Sequence, residues 1–192
     1  MKLVLFDFDG TLTKSDTLLE FLLFVKGWPS VILSAVVLSP FFIGYALRLV
    51  TAERIKQRWL SFHLKGKSRK ELEDQGTAFC EKFVSRNMRD EVFGKLQSYK
   101  KENCEISVVT ASCGTWVAPF CRKNSVNCIA TELEFVNEVF TGKFCTPNCN
   151  NNEKVVRIKE AYKLENYTEI IAFGNSKADL PMFSIATETH MV

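Results

Sequence analysis

Mostly apolar runs at three places in this chain each end abruptly in polar residues. The runs cover residues 3–6, 105–110 and 169–173. Short runs rich in Leu, Val, Ile and Phe are typical of strands buried on both faces of a parallel sheet. The carboxyl ends of such strands are where open α/β sheets bind their ligands. The pattern therefore predicts an α/β fold with its chemistry at those strand ends.

Weaker patterns complete this predicted core. Helical spacing of apolar residues follows Gly114 as far as residue 123 and begins again at Glu153. Short alternating segments predict strands over 127–130, 132–136 and 139–141, with a hairpin turn at Asn137-Glu138. Residues 187–192 predict one more edge strand.

The segment between residues 13 and 104 has only helical patterns. Asp16-Thr17 predicts a helix start, and further helices are expected over 68–84 and 89–101. Residues 27–47 carry no charge, and their number is close to the ~20 residues that span a bilayer. Pro29 and Pro40 each suit the first turn of a new helix, which favours two short helices, 30–38 and 40–50, packed as a hairpin. We predict an all-helical insert, 14–103, in a core formed by 1–13 and 104–192.

A basic cluster follows the uncharged segment. Glu53 is the only acid before Glu71 among its cations, which are Arg48, Arg54, Lys56, Arg58, Lys65, Lys67, Arg69 and Lys70. One interpretation is a solvated helical face. The other is a membrane-surface patch that lies beside the apolar helices, within residues 28–70, and attracts anionic lipid.

Composition narrows the class of protein only a little. The chain has 192 residues, a net charge of +3 and seven cysteines. That charge favours no particular partner, and we expect no nucleic acid. An odd cysteine count, without a basic leader before an apolar stretch, predicts free thiols in a reducing, cytoplasmic compartment, with membrane association as the alternative. Composition leaves the oligomeric state open.

The polar residues at the predicted strand ends suggest phosphate chemistry. Asp7 and Asp9 follow the first strand at a turn made by Gly10, and a divalent cation would explain two acids so close together. Thr110, with Ser112 as a second choice, lies at a strand-to-helix turn, where hydroxyl and backbone N–H groups bind phosphate. Lys154 falls in the first turn of a helix, a poor place for a cation unless an anion binds there.

Taken in order, these motifs resemble those of the haloacid dehalogenase superfamily. The first motif is Asp7-Phe-Asp-Gly-Thr-Leu-Thr13, Thr110 matches the second and Lys154 the third. The fourth is usually Gly-Asp-x-x-x-Asp, whereas this chain has Asn175 in place of the first acid and keeps Asp179. Gly-Asn-Ser is similar to the phosphoserine-phosphatase-like branch. The resemblance implies a Rossmann-like three-layer α/β/α core with a helical cap inserted after the first motif.

The resemblance also implies roles for these residues. Asp7 would be the nucleophile that forms an aspartyl-phosphate, and Asp9 the general acid and base. Mg²⁺ would be bound by Asp7, the Asp9 carbonyl and Asn175 or Asp179. Thr110 and Lys154, with backbone groups of Gly10 and Ala111, would hold the phosphate.

The implied activity is phosphate-monoester hydrolysis, with the substrate chosen by the cap. In phosphoserine phosphatases a cap acid and an arginine read the serine. Asp16 lies near the acid's place, but no arginine matches. A small phosphorylated metabolite such as phosphoserine and a lipid-linked phosphate are both open. The alternatives are a phosphotransferase with the same chemistry and a non-catalytic membrane-surface protein.

Overall fold

The structure is a computed structural model that describes residues 1–192, and its centre is a five-stranded parallel sheet. Its strands are β1 (Lys2–Phe6), β2 (Glu105–Cys113), β3 (Asn127–Thr131), β6 (Glu169–Gly174) and β7 (Glu188–Met191). Their order across the sheet is β3-β2-β1-β6-β7. The strands β4 (Leu133–Val136) and β5 (Val139–Phe144) form a separate antiparallel hairpin. Asn137 and Glu138 turn this hairpin, and both have the positive φ that a tight two-residue turn requires.

Eight helices accompany the strands. They are α1 (Thr17–Val37), α2 (Ser39–Ala46), α3 (Ala52–Leu64), α4 (Arg69–Lys82), α5 (Asp90–Lys101), α6 (Gly114–Asn124), α7 (Asn152–Ala161) and α8 (Leu180–Phe183). The helices predicted over 68–84, 89–101 and 114–123 are confirmed to within a residue or two at their ends. The strand predicted to stop at Thr110 instead runs to Cys113.

Both faces of the sheet are covered, as its unbroken apolar strands require. Along β1 successive side chains point to opposite faces. Val4 and Phe6 join a buried cluster with residues of α5 and α6. Leu3 and Leu5 join a second cluster with Ile158 of α7 and residues of α8. The predicted three-layer α/β/α core is confirmed.

The apolar helices of the insert differ from the predicted hairpin. The predicted helix 30–38 corresponds to the second half of α1. This helix kinks at Gly27, where φ is 74° and ψ is 166°. Leu38 alone separates α1 from α2, whereas a helical hairpin needs a loop of about 2–5 residues. α2 ends at Ala46 and packs its Phe42 ring edge-on against Trp59 of α3. The predicted hairpin is therefore wrong, because the connection is too short to reverse the chain and the aromatic contact of α2 is with α3.

α1 is the one helix whose length and composition would allow it to cross a membrane, with a mean hydropathy of 1.6 over its most apolar window. Buried core helices pass the same test. The half of α1 before Gly27 is of that kind, because Phe21 and Leu22 are fully buried and Phe21 stacks on Trp116 of α6.

The insert and the core share one apolar interior. A single cluster of 27 buried residues contains Phe6 of the sheet together with Leu60 and Phe79 of the insert. α5 packs on the sheet, with its Tyr99 ring 6.2 Å from that of Phe173. The division into 1–13 with 104–192 and 14–103 remains a prediction, because no break in packing marks it.

The contact between α4 and α6 gives a test of how the insert is attached. A Cβ added to Gly76 of α4 would lie 2.0 Å from the backbone oxygen of Thr115, so Gly76→Ala must push the two helices apart. We expect it to lower the free energy of unfolding by about 1–3 kcal/mol. Gly94→Ala in α5 is the matched control, because nothing lies within 4 Å of its Cβ position. The control should stabilise by about 0.5–1 kcal/mol. Urea denaturation measures both, and equal effects of the two substitutions would contradict this packing.

Candidate active site

The predicted site residues meet at the carboxyl ends of three neighbouring strands. Asp7 follows β1, Thr110 lies near the end of β2 and Asn175 follows β6, and β1 lies between the other two strands. The Asp7 amide donates to the Phe173 carbonyl at 2.9 Å, which continues the pairing of β1 with β6 and fixes the Asp7 backbone. The β2–β3 register is interrupted between Val109 and Cys113, so the polar segment around Thr110 leaves the regular ladder.

Lys154 joins two buried carboxylates. Its Nζ lies 2.6 Å from Asp7 Oδ1 and 2.6 Å from Asp179 Oδ1, and the three side chains are 2%, 10% and 1% exposed. The Thr11 hydroxyl donates to Asp7 Oδ2 at 2.9 Å. Burial lowers the pKa of Lys154, but the two carboxylates oppose this and the net direction is upward, so the lysine stays charged. Burial raises the pKa of Asp7, and Lys154 acts against that rise.

Both carboxylate oxygens of Asp179 accept hydrogen bonds, Oδ1 from Lys154 and Oδ2 from the loop that contains Asp179. Its Oδ2 accepts hydrogen bonds from the Asn175 amide at 3.1 Å and from the Ser176 amide and hydroxyl, each at 3.0 Å. The Asn175 side chain is exposed and packs against Gly10, where an added Cβ would meet its Nδ2 at 2.0 Å. The φ of 75° at Gly10 is one that L side chains rarely adopt, so a substitution there would be strained. Asp179 therefore orients Lys154 and the loop, and the Asn175 carbonyl oxygen remains available to a ligand.

Asp9 belongs to a separate network that ties the insert to the core. Its Oδ1 accepts from the amide and hydroxyl of Thr17, at 2.7 and 2.6 Å, and its Oδ2 accepts from the Ser112 hydroxyl at 2.5 Å. The indole N–H of Trp116 donates to Thr17 Oγ1 at 2.9 Å. Burial, with the nearby charge of Asp16, raises the pKa of Asp9 to about 6. A carboxyl group with that pKa can both give and accept a proton near neutral pH.

Almost all of the predicted site residues line one small cavity of about 150 Å³. Its walls include Asp7, Asp9, Asp16, Thr110, Ala111, Lys154, Asn175 and Asp179. Gly10 does not line it but forms the turn behind Asn175. Asp16 is exposed and also caps α1, accepting the Leu18 amide hydrogen bond at 2.8 Å. The Thr110 hydroxyl accepts from the Ser112 amide at 2.9 Å.

A larger cavity of about 380 Å³ adjoins the first and reaches into the insert. The two share Asp9, Asp16, Ala111 and Asn150. The outer walls of the larger cavity are mainly apolar and include Leu18, Phe42, Tyr45, Ile55 and Trp59. A phosphate group in the small cavity would thus have the rest of its molecule in the large one.

Lys56 is the cation of this larger cavity, a position that the sequence did not reveal. We counted Lys56 with the surface cations, but it is half-buried and donates to the Ala111 carbonyl and, at 3.2 Å, to Asn148 Oδ1. Thr131 holds the same two acceptors, at 2.7 and 3.2 Å. The sequence analysis considered Thr17 only as part of a helix start, and it gave no role in the site to Thr11 or Ser176. The contacts of Thr17 with Asp9 and Trp116 join distant parts of the chain, and those of Thr11 and Ser176 depend on local turns.

The residues of the small cavity fit a divalent cation. Four aspartates and one lysine line it, which leaves an excess of negative charge. Nowhere do three or more His, Cys, Asp or Glu side chains form a metal-binding group of their own. The available donors are the Asp7 carboxylate, the Asp9 backbone carbonyl and the Asn175 amide oxygen, and such an all-oxygen set suits Mg²⁺.

The fold and this site define an α/β enzyme that presents a buried aspartate, paired with a lysine, at the end of its first strand. The sequence pattern of haloacid dehalogenase-like hydrolases matches residues 4–184. The chain belongs to this family.

Individual relatives support the same conclusion. Protein CicA of Caulobacter vibrioides is 30% identical over 188 residues, covering 97% of this chain and 83% of the relative. A Bordetella pertussis protein of unknown function has a similar structure, with a TM-score of 0.81, 21% identity and coverage of 98% and 88%. A substrate-bound phosphoserine phosphatase gives a TM-score of 0.68 at 19% identity, covering 98% of this chain and 84% of that one. At these identities the two structures show a shared fold, as the resemblance to that branch implied.

Thr17 offers a test of the Asp9 network. Thr17→Val keeps the shape but leaves the buried Trp116 N–H without its acceptor and removes a donor to Asp9. We expect a loss of about 1–3 kcal/mol in the free energy of unfolding, measured by urea denaturation. Thr17→Ser retains the hydroxyl and should recover most of that loss. A loss in Thr17→Ser as large as that in Thr17→Val would contradict the proposed role of the hydroxyl, because the methyl group would then contribute as much.

Proposed function

We propose that this protein is a magnesium-dependent phosphatase that hydrolyses a phosphate monoester through an aspartyl-phosphate on Asp7. The observation that carries the proposal is the Asp7 carboxylate itself. It is held by Lys154 and Thr11 on the wall of the small cavity, and Asp9 lies on the same wall. A fixed nucleophile with an acid–base group nearby is the arrangement that covalent catalysis requires.

In the first step, an Asp7 oxygen attacks phosphorus and the bond from phosphorus to the substrate's alcohol oxygen breaks. That oxygen takes a proton from Asp9, whose pKa of about 6 leaves part of it protonated near neutral pH. In the second step, Asp9 accepts a proton from water as the water attacks phosphorus. The Asp7 carboxylate and inorganic phosphate are released, and Asp9 is again protonated.

The other residues of the cavity would bind the phosphoryl oxygens and the metal ion, and keep the reacting groups in position during these steps. The Lys154 ammonium and the Thr110 hydroxyl would bind the phosphoryl oxygens. Asp7, the Asp9 carbonyl and Asn175 would hold Mg²⁺, which would supply neutralisation of the phosphate's negative charge. Asp179 keeps Lys154 in place through its 2.6 Å ion pair.

Asp7→Asn is the direct test of the nucleophile. The amide is almost the same size but does not attack phosphorus, so we expect magnesium-dependent hydrolysis of p-nitrophenyl phosphate to fall by about 10³-fold or more. Acid-quenched mass spectrometry should detect a phosphorylated peptide containing residue 7 in the wild type only. Asp74→Asn, at an exposed surface ion pair, is the control and should keep full activity. Near-normal turnover by Asp7→Asn would contradict the assignment of Asp7 as the nucleophile. Transfer of phosphate to an added alcohol instead of water would identify a phosphotransferase.

Substitutions at Asn175 test whether its side chain binds Mg²⁺. Chelation should abolish hydrolysis, and added Mg²⁺ should restore it. Asn175→Asp adds a charged ligand and should lower the Mg²⁺ concentration for half-maximal activity, on the order of tenfold, because ligand charge sets the affinity of such sites. Asn175→Ala removes the oxygen and should raise that concentration. Unchanged magnesium dependence in both variants would exclude Asn175 as a ligand.

A further inference from the structure

The outer side of α1 and α2 is an exposed apolar surface, which we call the cap surface. Beyond Gly27, one face of α1 turns Val31, Ser34 and Leu38 inward. The opposite face exposes large apolar side chains to between 52% and 65%, and the surface continues along and just beyond α2. Its residues are Trp28, Ile32, Leu33, Val36, Val37, Ile43, Leu47 and Leu49. So many large apolar side chains exposed within residues 28–49 indicate an interaction site.

The charges around the cap surface are almost all positive. No acidic residue occurs from residue 21 to residue 52, and Glu53 is the only acid as far as residue 64. Four cations of this stretch are exposed, namely Lys26, Arg48, Arg54 and Arg58. Arg58 also lies over the Phe41 ring of α2, 5.4 Å from its centre, which joins the cationic and apolar parts. An apolar face bordered by cations is complementary to an anionic lipid surface.

The cap surface is continuous with the site through α2. Phe42 and Tyr45 line the 380 Å³ cavity, while Ile43 and Leu47 of the same segment are 60% and 64% exposed. Whatever covers the cap surface therefore lies next to the outer, apolar part of that cavity. The cavity also holds Lys56, which can meet a second anionic group of a substrate.

We propose that the cap surface docks on an anionic membrane surface, so that the cavity receives the headgroup of a lipid phosphate monoester. The lipid-substrate part rests on the proposed function, whereas the docking part does not. A second copy of the chain is a poorer occupant, because a two-fold interface brings each patch and its bordering cations against the same groups of the other copy.

Vesicle flotation tests the docking without requiring catalysis. The full chain and its Asp7→Asn variant should both float with vesicles of phosphatidylcholine containing phosphatidylglycerol, and should remain unbound to phosphatidylcholine alone. Val36→Asp should reduce the bound fraction at least about tenfold, because it places a negative charge at the centre of the patch. Val136→Asp, at a valine 57% exposed at the end of β4, is the matched control and should bind like wild type.

The cations need their own comparison. Changing Arg48, Arg54 and Arg58 together to Gln should weaken binding to the anionic vesicles by about tenfold or more, since each cation near such a surface contributes to attraction. The equal loss of charge from Lys123, Lys159 and Lys163, which are exposed outside the insert, should have little effect. Equal weakening by both triple variants, or no binding by wild type, would overturn the docking. So would a dimer in sedimentation velocity that Val36→Asp dissociates.

Hydrolysis distinguishes a lipid source of the phosphate from a soluble one. Phosphatidic acid in vesicles is the lipid probe, and p-nitrophenyl phosphate is the soluble one. Val36→Asp should lower kcat/KM on the vesicles at least about tenfold and leave hydrolysis of the soluble probe within about twofold. Hydrolysis of the soluble probe only, by a wild type that floats, would overturn the lipid substrate and leave the docking. Flotation without hydrolysis of either probe would count against the proposed function instead.

Discussion

The candidate site depends on one buried ion-pair group, in which the Lys154 ammonium lies between the Asp7 and Asp179 carboxylates. Each member comes from a different part of the fold: the end of β1, the first turn of α7 and the loop after β6. Burying three charges costs much more free energy than burying an apolar cluster of the same size. Two carboxylates and one ammonium also have a net charge of about −1. Such a group is weak evidence for stability and is better explained by chemistry. It holds the Asp7 carboxylate in a fixed position and leaves the small cavity attractive to a cation.

A second constraint couples the insert to the candidate site. Asp9 is bound on one side by Thr17, where the insert begins, and on the other by Ser112 at the end of β2. The amide that donates to Asp9 is the first of α1, so the orientation of the Asp9 carboxyl group depends on the helix that carries the cap surface. Lys56 adds a link from α3 to the carbonyl of Ala111, a residue that lines the small cavity. The insert thus forms a wall of the larger cavity and also holds residues of the candidate site in position.

The sequence analysis predicted the core better than the insert. Buried parallel strands have unbroken apolar runs and their polar ends are sharp, so local pattern alone located the three central strands and the polar residues that follow the first two. Asn175 and Asp179, after the third strand, were predicted from the family resemblance. The helical hairpin was wrong because helix contacts depend on which apolar face finds a partner, and local pattern does not contain that information. Phe42 packs on Trp59, seventeen positions away along the chain. Lys56 was assigned to the surface for the same reason, because a cation on an amphipathic helix has no local mark of facing inward.

By itself, the sequence determined the class of fold and the order of the motifs. Through the family resemblance of those motifs it also predicted the site residues Asp7, Asp9, Thr110 and Lys154, with Asn175 or Asp179. The strands, turns and helix ends follow from short-range rules, whereas the roles of the residues follow from the resemblance. The tertiary structure alone decided that Asp179 is saturated by hydrogen bonds while the Asn175 oxygen is free, and that Thr17 and Trp116 support Asp9. It also decided that one side of α1 and α2 stays exposed beside the outer cavity. These are properties of pairs of residues far apart in the chain, and only the packed fold brings them within hydrogen-bonding or van der Waals distance.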